Sequence, residues 1–170
     1  LIIFFPLILL IFFICLIDSG KPIFIQKRVG INLKPFYLLK FRTLKVNTPS
    51  MGTHLISKNS ATKFGNYMRL FKLDELPQLI NVIKGEMSLV GPRPCLYNQE
   101  ELINERKKNN VFDIKPGITG LAQINGIDMS NPEILAKVDK LMISDFTKQK
   151  YFKYLFLTLV GKGLGDKIKK

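Results

Sequence analysis

"KLDELPQLINVIKGEMSLVGPRP" occupies Lys72–Pro94, and its reading decides how the rest of the chain is understood. Two adjacent carboxylates, Asp74 and Glu75, stand near its start, and Arg93 lies between two prolines at its end. After the acids, Leu76, Leu79, Ile80 and Ile83 recur at helical spacing, and Gly85 can end the helix. Pro77 is tolerable only in a first turn. The acids are therefore expected at or next to a helix N-terminus, where they complement the helix dipole and Asp caps well. A chemical role competes with that plain one. Acids are scarce, with 13 Asp+Glu against 26 Lys+Arg and a formal net charge of +13. Arg69 precedes the pair and Arg93 follows it. Ser88–Pro94 reads as a stiff, proline-fixed loop suited to aiming a guanidinium.

Upstream, "LIIFFPLILLIFFICLI" (Leu1–Ile17) carries no charge. It begins with Leu rather than Met, so an N-terminally incomplete segment is expected. It has neither the basic leader nor the small-residue cleavage site of a signal peptide. A spanning helix needs ~20 apolar residues, and Pro6 interrupts this run. Leu7–Ile17 alone would rise only ~16 Å, about half of a ~30 Å hydrocarbon core. Two geometries follow: a kinked spanning helix completed by upstream residues, or a re-entrant helix that Pro6 bends back. Both place the segment in lipid with Lys21, Lys27 and Arg28 just outside, a pattern that favours the cytoplasmic side.

Lys21–Leu44 has short apolar runs, Ile23–Ile25 and Phe36–Leu39, around Gly30 and Asn32, which reads as strand, turn, strand. Its basic residues suit an anionic membrane surface. Lys40 and Arg42 flank Phe41 and should share one face of an extended strand, making the better phosphate-binding pair. Lys45–Ser60 reads as a polar loop. Ala61–Phe71 returns to helical spacing, with Phe64, Met68 and Phe71 expected on one side and Arg69 near the end. Lys115–Met142 contains Gly117, Gly120 and Gly126, either a turn-rich connection or a nucleotide-binding loop. Ser130 or Asn131 before Pro132 is a good helix start, and Asp128 and Asp139 are candidate supporting or ribose contacts. Thr147–Lys170 alternates bases with aromatic and apolar residues. That describes an interfacial helix or a core helix with a solvated basic face. Its "GKGLGDK" lacks phosphate-loop spacing and reads as a flexible tail.

The 170-residue length allows one domain, or one domain plus a membrane segment, and 46% apolar residues suffice for a core. The positive balance calls for anionic partners. Two cysteines without CxxC spacing, Cys15 and Cys95, argue against a disulfide framework or a zinc site. The single histidine, His54, gives no support for a Ser-His-Asp triad.

Three blocks, "KFRTL" (Lys40–Leu44), "LDELPQLINVIKGEMSLVGPRP" (Leu73–Pro94) and "KPGITGLAQING" (Lys115–Gly126), together resemble the bacterial sugar transferases, monotopic polyprenyl-phosphate phosphoglycosyl transferases. The resemblance implies transfer of a sugar-1-phosphate from a nucleotide sugar, usually a UDP-sugar, to polyprenyl (undecaprenyl) phosphate with release of UMP. That is the first membrane step of bacterial glycoconjugate or polysaccharide synthesis, including lipopolysaccharide and exopolysaccharide. It implies Asp74 as nucleophile, Glu75 as its partner, and both as ligands of Mg2+. Lys40, Arg42, Arg69 and Arg93 are the candidate phosphate-binding cations. It implies an enzyme on the cytoplasmic face of the bacterial inner membrane. Its partners would be a nucleotide sugar, polyprenyl phosphate and anionic lipid, with no nucleic acid. The expected fold is α+β and mostly helical, with a small β-hairpin unit, an N-terminal re-entrant membrane helix broken at Pro6, and amphipathic interfacial helices. The expected domains are 1–20 (membrane-inserted helix), 21–146 (catalytic) and 147–170 (basic amphipathic helix and tail). Relatives often carry Arg where Ile127 stands and Ser or Thr where Lys72 stands, so here the helix cap is lost or moves to Asp74. The alternative from another class is a non-catalytic, membrane-anchored basic binding module.

Overall fold

Pro6 is the second residue of a helix, α1 (Phe5–Ser19), in the computed structural model of the chain. The structure describes residues 5–49 and 60–163. The expected bend at Pro6 involves residues before Phe5 and lies outside that range, as do His54 and most of the polar loop. The chain divides into two compact units. The first comprises residues 1–26, 37–81 and 164–170, and the second residues 27–36 and 82–163.

In the first unit, α1 turns Ile11 and Cys15 onto Phe41 and Met68, with Ile8, Phe12, Ile23, Leu73 and Leu76 around them. Phe5, Leu9, Leu10, Phe13, Leu16 and Ile17 stay exposed on the same helix. The spacing 8, 11, 12, 15 is one helical stripe, so α1 is apolar all round but packs on one side only. Gly20, at φ +72°, ends the helix by donating its N–H to Leu16 O. No helix among the described residues is long and apolar enough to cross a membrane. α1, at 15 residues, rises only ~22 Å.

The predicted strand pair forms: β1 (Ile23–Val29) and β2 (Pro35–Phe41) make a two-stranded sheet. Gly30 and Lys34 close its turn, and Asn32 adopts a left-handed conformation within it. Then α2 (Gly65–Leu70) buries Met68, while Phe64 and Phe71, on either side of the helix in sequence, are exposed. A tight approach fixes α2 on the chain after β2: any Cβ at Gly65 would overlap the Thr43 carbonyl oxygen. α3 (Gln78–Ile83) starts later than the sequence suggested, and the two acids precede it in a separate 3-10 turn, Leu73–Glu75.

The second unit holds a sheet that periodicity did not reveal. Ser88–Val90, read from sequence as part of a loop, is a strand, β3. It pairs in parallel with β4 (Gly117–Thr119), Ser88 opposite Gly117 and Val90 opposite Thr119. Gly91 and Gly117 bring their backbones so close that a side chain at either would collide with main chain. Helices α4 (Glu100–Lys108), α5 (Leu121–Ile124) and α6 (Pro132–Ser144) surround a core of Val29, Cys95, Leu102, Phe112, Ala122 and Leu135. As the sequence predicts, Asn131 caps α6 by accepting from Ile134 N–H, with Pro132 in its first turn. A second cluster, Val90, Met142 and Tyr154, seats the last helix, α7 (Lys148–Leu159). The mostly helical α+β class therefore holds, with two small sheets instead of one.

Candidate active site

Asp74 and Glu75 are buried, at 5% and 7% exposure, in a chain whose charge is strongly positive. Ionised carboxylates resist leaving water unless a cation or several donors compensate. For Glu75 the cation is Lys40, whose Nζ lies 2.8 Å from Oε1. The 3-10 turn explains the burial. At three residues per turn, Leu73 and Leu76 fall on the same side, and both pack on the Ile11–Cys15–Phe41–Met68 cluster. Lys72, before the turn, has φ +55° and makes no side-chain capping bond. Asp74 lies inside the turn, ahead of α3.

Lys40 reaches Glu75 because β2 is fixed against α3. Asn81, fully buried, accepts from Leu39 N–H at 3.1 Å and donates Nδ2 to Tyr37 O at 2.8 Å. A side-chain amide bonded to both main-chain groups of one strand edge sets that strand's height. The next residue, Lys40, then meets the acid. Arg69 is buried at the end of α2. Arg42, the expected companion of Lys40, is engaged nearer β1: it donates to Lys21 O and Ile23 O and lies over the Phe24 ring.

Arg93 belongs to the second unit and directly follows β3, half-buried between buried Pro92 and Pro94. Asp128 is exposed and accepts from the Ser130 amide and hydroxyl. Asp139 is not available to a ribose hydroxyl: it is buried in α6 and bonded to Arg106 of α4. Burial pushes the Asp139 carboxyl up, and the Arg106 guanidinium opposes that shift. Ile127 packs on the Val29–Leu135 core and donates its N–H to Ala122 O.

Among the described residues no group of three His, Cys, Asp or Glu could hold a metal. Two neighbouring carboxylates nevertheless suit Mg2+, which is usually held by one or two carboxylates plus phosphate oxygens and water. Asp74 and Glu75 are the residues that would hold such an ion. The sequence reading missed two buried polar residues, Asn81 in the first unit and Arg106 in the second. A lone amide among Leu79, Ile80 and Ile83 was a usable signal for the first. Arg106, beside Lys107 and Lys108, gave none.

The sequence profile of the family described as bacterial sugar transferase matches residues 1–162. The chain is 41% identical over 150 residues to "Uncharacterized sugar transferase EpsL" of Bacillus subtilis, covering 85% of this chain and 74% of that protein. It is 36% identical over 156 residues to "Galactosyl transferase CpsE" of Streptococcus agalactiae, covering 84% of this chain and 34% of the other. It is 41% identical over 138 residues to "UDP-glucose:undecaprenyl-phosphate glucose-1-phosphate transferase" of Xanthomonas campestris, covering 76% and 28%. The chain thus spans most of the first relative and about a third of the other two.

Proposed function

The chain belongs to the bacterial sugar transferases, and from that premise we propose that it transfers a sugar-1-phosphate from a UDP-sugar to undecaprenyl phosphate, releasing UMP. The observation that carries the reading is the buried Asp74–Glu75 pair, held by Lys40 within the family's most specific block. A binding module gains nothing from two desolvated carboxylates in a basic protein, whereas covalent transfer needs a fixed anion as nucleophile.

In this reading an Asp74 carboxylate oxygen attacks the phosphorus that bears the sugar. The bond from that phosphorus to the UMP oxygen breaks, and UMP leaves with the electron pair. An oxygen of the lipid phosphate then attacks the aspartyl-phosphosugar, and the Asp74 carboxylate is restored. Glu75 stays in place through Lys40. Arg69 and Arg93 supply charge for phosphate oxygens, Arg93 with a planar fork that can bind two of them. Mg2+ held by Asp74 and Glu75 would offset the repulsion between carboxylates and diphosphate.

The membrane role rests on exposed apolar surface. On α7, Phe152, Phe156, Leu159 and Val160 are exposed and recur at helical spacing on one side. Tyr154 packs inward from another side, and Lys148 and Lys153 flank the exposed stripe. An apolar stripe edged by lysines fits an anionic lipid surface, here assigned to the cytoplasmic face of the inner membrane. With α1 it would hold the enzyme beside its lipid acceptor.

The test is intact-protein mass after incubation with a panel of UDP-sugars and Mg2+, without lipid acceptor. Wild type should gain one phosphosugar on Asp74 and release UMP, and Asp74→Asn should do neither. Glu75→Gln should form the adduct slowly. An adduct on Asp74→Asn, or one mapped to Glu75, overturns the assignment. Absence of Mg2+-dependent UMP release with and without undecaprenyl phosphate overturns the activity.

A further inference from the structure

Four successive carbonyls after β3 each accept a hydrogen bond from a different donor of the second unit. Gly117 N–H donates to Pro92 O at 2.9 Å, and Arg106 Nη1 to Arg93 O at 2.7 Å. Arg28 Nη1 donates to Pro94 O at 2.9 Å, and Val29 N–H to Cys95 O at 3.0 Å. Prolines at 92 and 94 fix φ on either side of Arg93. The backbone of Pro92–Cys95 is thereby pinned at every residue, and all four residues are buried except Arg93.

Two of the four donors are guanidinium groups, an expensive choice for a task that backbone amides perform next door. Arg106 is among the largest fully buried side chains in the protein. Its Nε and Nη2 both reach Asp139 Oδ2, at 3.0 and 2.7 Å, while Nη1 remains directed at Arg93 O. Buried ion pairs of this kind are poor sources of stability, since an apolar pair of similar volume often serves as well. An apolar pair cannot hold a carbonyl in a fixed place.

We propose that Arg106, oriented by Asp139, is a positioning residue for Arg93: it fixes the Arg93 carbonyl and so the direction in which that guanidinium leaves the chain. Arg28 secures the following carbonyl in the same way. The inference rests on the reading of Arg93 as a phosphate-binding residue, and the experiment separates the two.

Turnover by the full chain in lipid nanodiscs is measured as UMP release from a UDP-sugar and undecaprenyl phosphate. The variants are Arg93→Ala, Arg106→Met with Asp139→Leu, and all three changes together, with melting followed in parallel. Arg93→Ala should lose roughly 100-fold in kcat/KM, the scale of one lost donor to a developing oxyanion. The apolar pair should melt near wild type yet lose about 10-fold or more, because small misplacements of a binding group are costly. In the Arg93→Ala background the apolar pair should cause no further loss, since both changes act through one group. Losses that multiply, or an apolar pair with wild-type turnover, overturn the proposal. If the apolar pair does not fold, Arg106→Lys replaces it. Lysine keeps the charge but cannot serve Asp139 and the carbonyl through one planar fork, so a loss of about 10-fold, silent without Arg93, is expected. Wild-type turnover in Arg106→Lys, or a loss that persists without Arg93, overturns the proposal. Full activity in Arg93→Ala overturns the reading of Arg93 itself, and the inference with it.

Discussion

Replacing Lys40 by methionine tests whether the buried acid depends on its cation. Lys40 Nζ and Glu75 Oε1 are 2.8 Å apart, with the two side chains 12% and 8% exposed, so solvent screens them little. At that separation two unit charges attract by about 6 kcal/mol at an effective dielectric of ~20. Desolvation of both ions cancels much of this, so the intact pair contributes little net stability. One-sided truncation is different, because it takes the Lys40 ammonium from a buried carboxylate, at a cost of about 3–5 kcal/mol. Methionine keeps the length and the apolar stem, so packing changes little. In a chain of this size each kcal/mol moves the melting midpoint by roughly 2–4 °C, and Lys40→Met should melt about 10 °C below wild type. The double variant Lys40→Met with Glu75→Gln removes both charges and should recover ~2 kcal/mol or more relative to additive losses. Its turnover should stay far below wild type, because the proposed mechanism uses Glu75. Far-UV circular dichroism melting in nanodiscs, with a UMP-release assay beside it, gives both readouts. Additive losses, or a Lys40→Met variant that melts with wild type, would refute the argument that this pair is a coupled, buried one.

Asn81→Leu should cost about 2–4 kcal/mol, since Leu39 N–H and Tyr37 O each lose a buried partner; an unchanged urea midpoint would show that Asn81 does not hold β2. A fluorophore on cysteine at position 156, in the exposed α7 stripe, should be quenched by lipid-borne quenchers in anionic nanodiscs, while one at Lys150 should not; equal quenching counts against an oriented interfacial helix. Tags ahead of Leu1 and after Lys170 should report the same, cytoplasmic side, and an external N-terminal tag would establish a spanning helix.

Local chemistry made part of this fold legible. The Asn131–Pro132 helix start needs only an oxygen within reach of an amide two or three residues on, and it forms as expected. The hairpin around Gly30 and Asn32 was readable because its apolar runs flank turn residues. The β3–β4 sheet was not. Its strands are three residues each, too short for alternation, and their pairing depends on Gly91 and Gly117 meeting across the intervening helix α4. Arg106 was hidden for a similar reason. Within "NERKKNN" nothing local distinguishes the one cation that turns inward from those that face water; Asp139, 33 residues away, makes the difference. The burial of Asp139 is equally silent in the sequence, because a carboxylate on a helix gives no sign of which way it faces.

The position of the acids in a 3-10 turn bears on why they are not interchangeable. On an α-helix neighbours diverge by about 100°, and on a 3-10 turn by about 120°. Leu73 and Leu76 occupy one of three sides and are packed in the core. Asp74 and Glu75 take the other two, and Glu75 is bonded to Lys40. A single turn anchored by two leucines thus carries both buried carboxylates. In the proposed mechanism Glu75, tied to the ammonium, is the acid that stays in place. Its neighbour, one residue earlier and a third of a turn away, is the one proposed to attack phosphorus. Had α3 begun at the acids, as a capping role would require, Leu73 and Leu76 would not have aligned so closely on one side. The short 3-10 turn therefore sets both acids ahead of α3 instead of inside it.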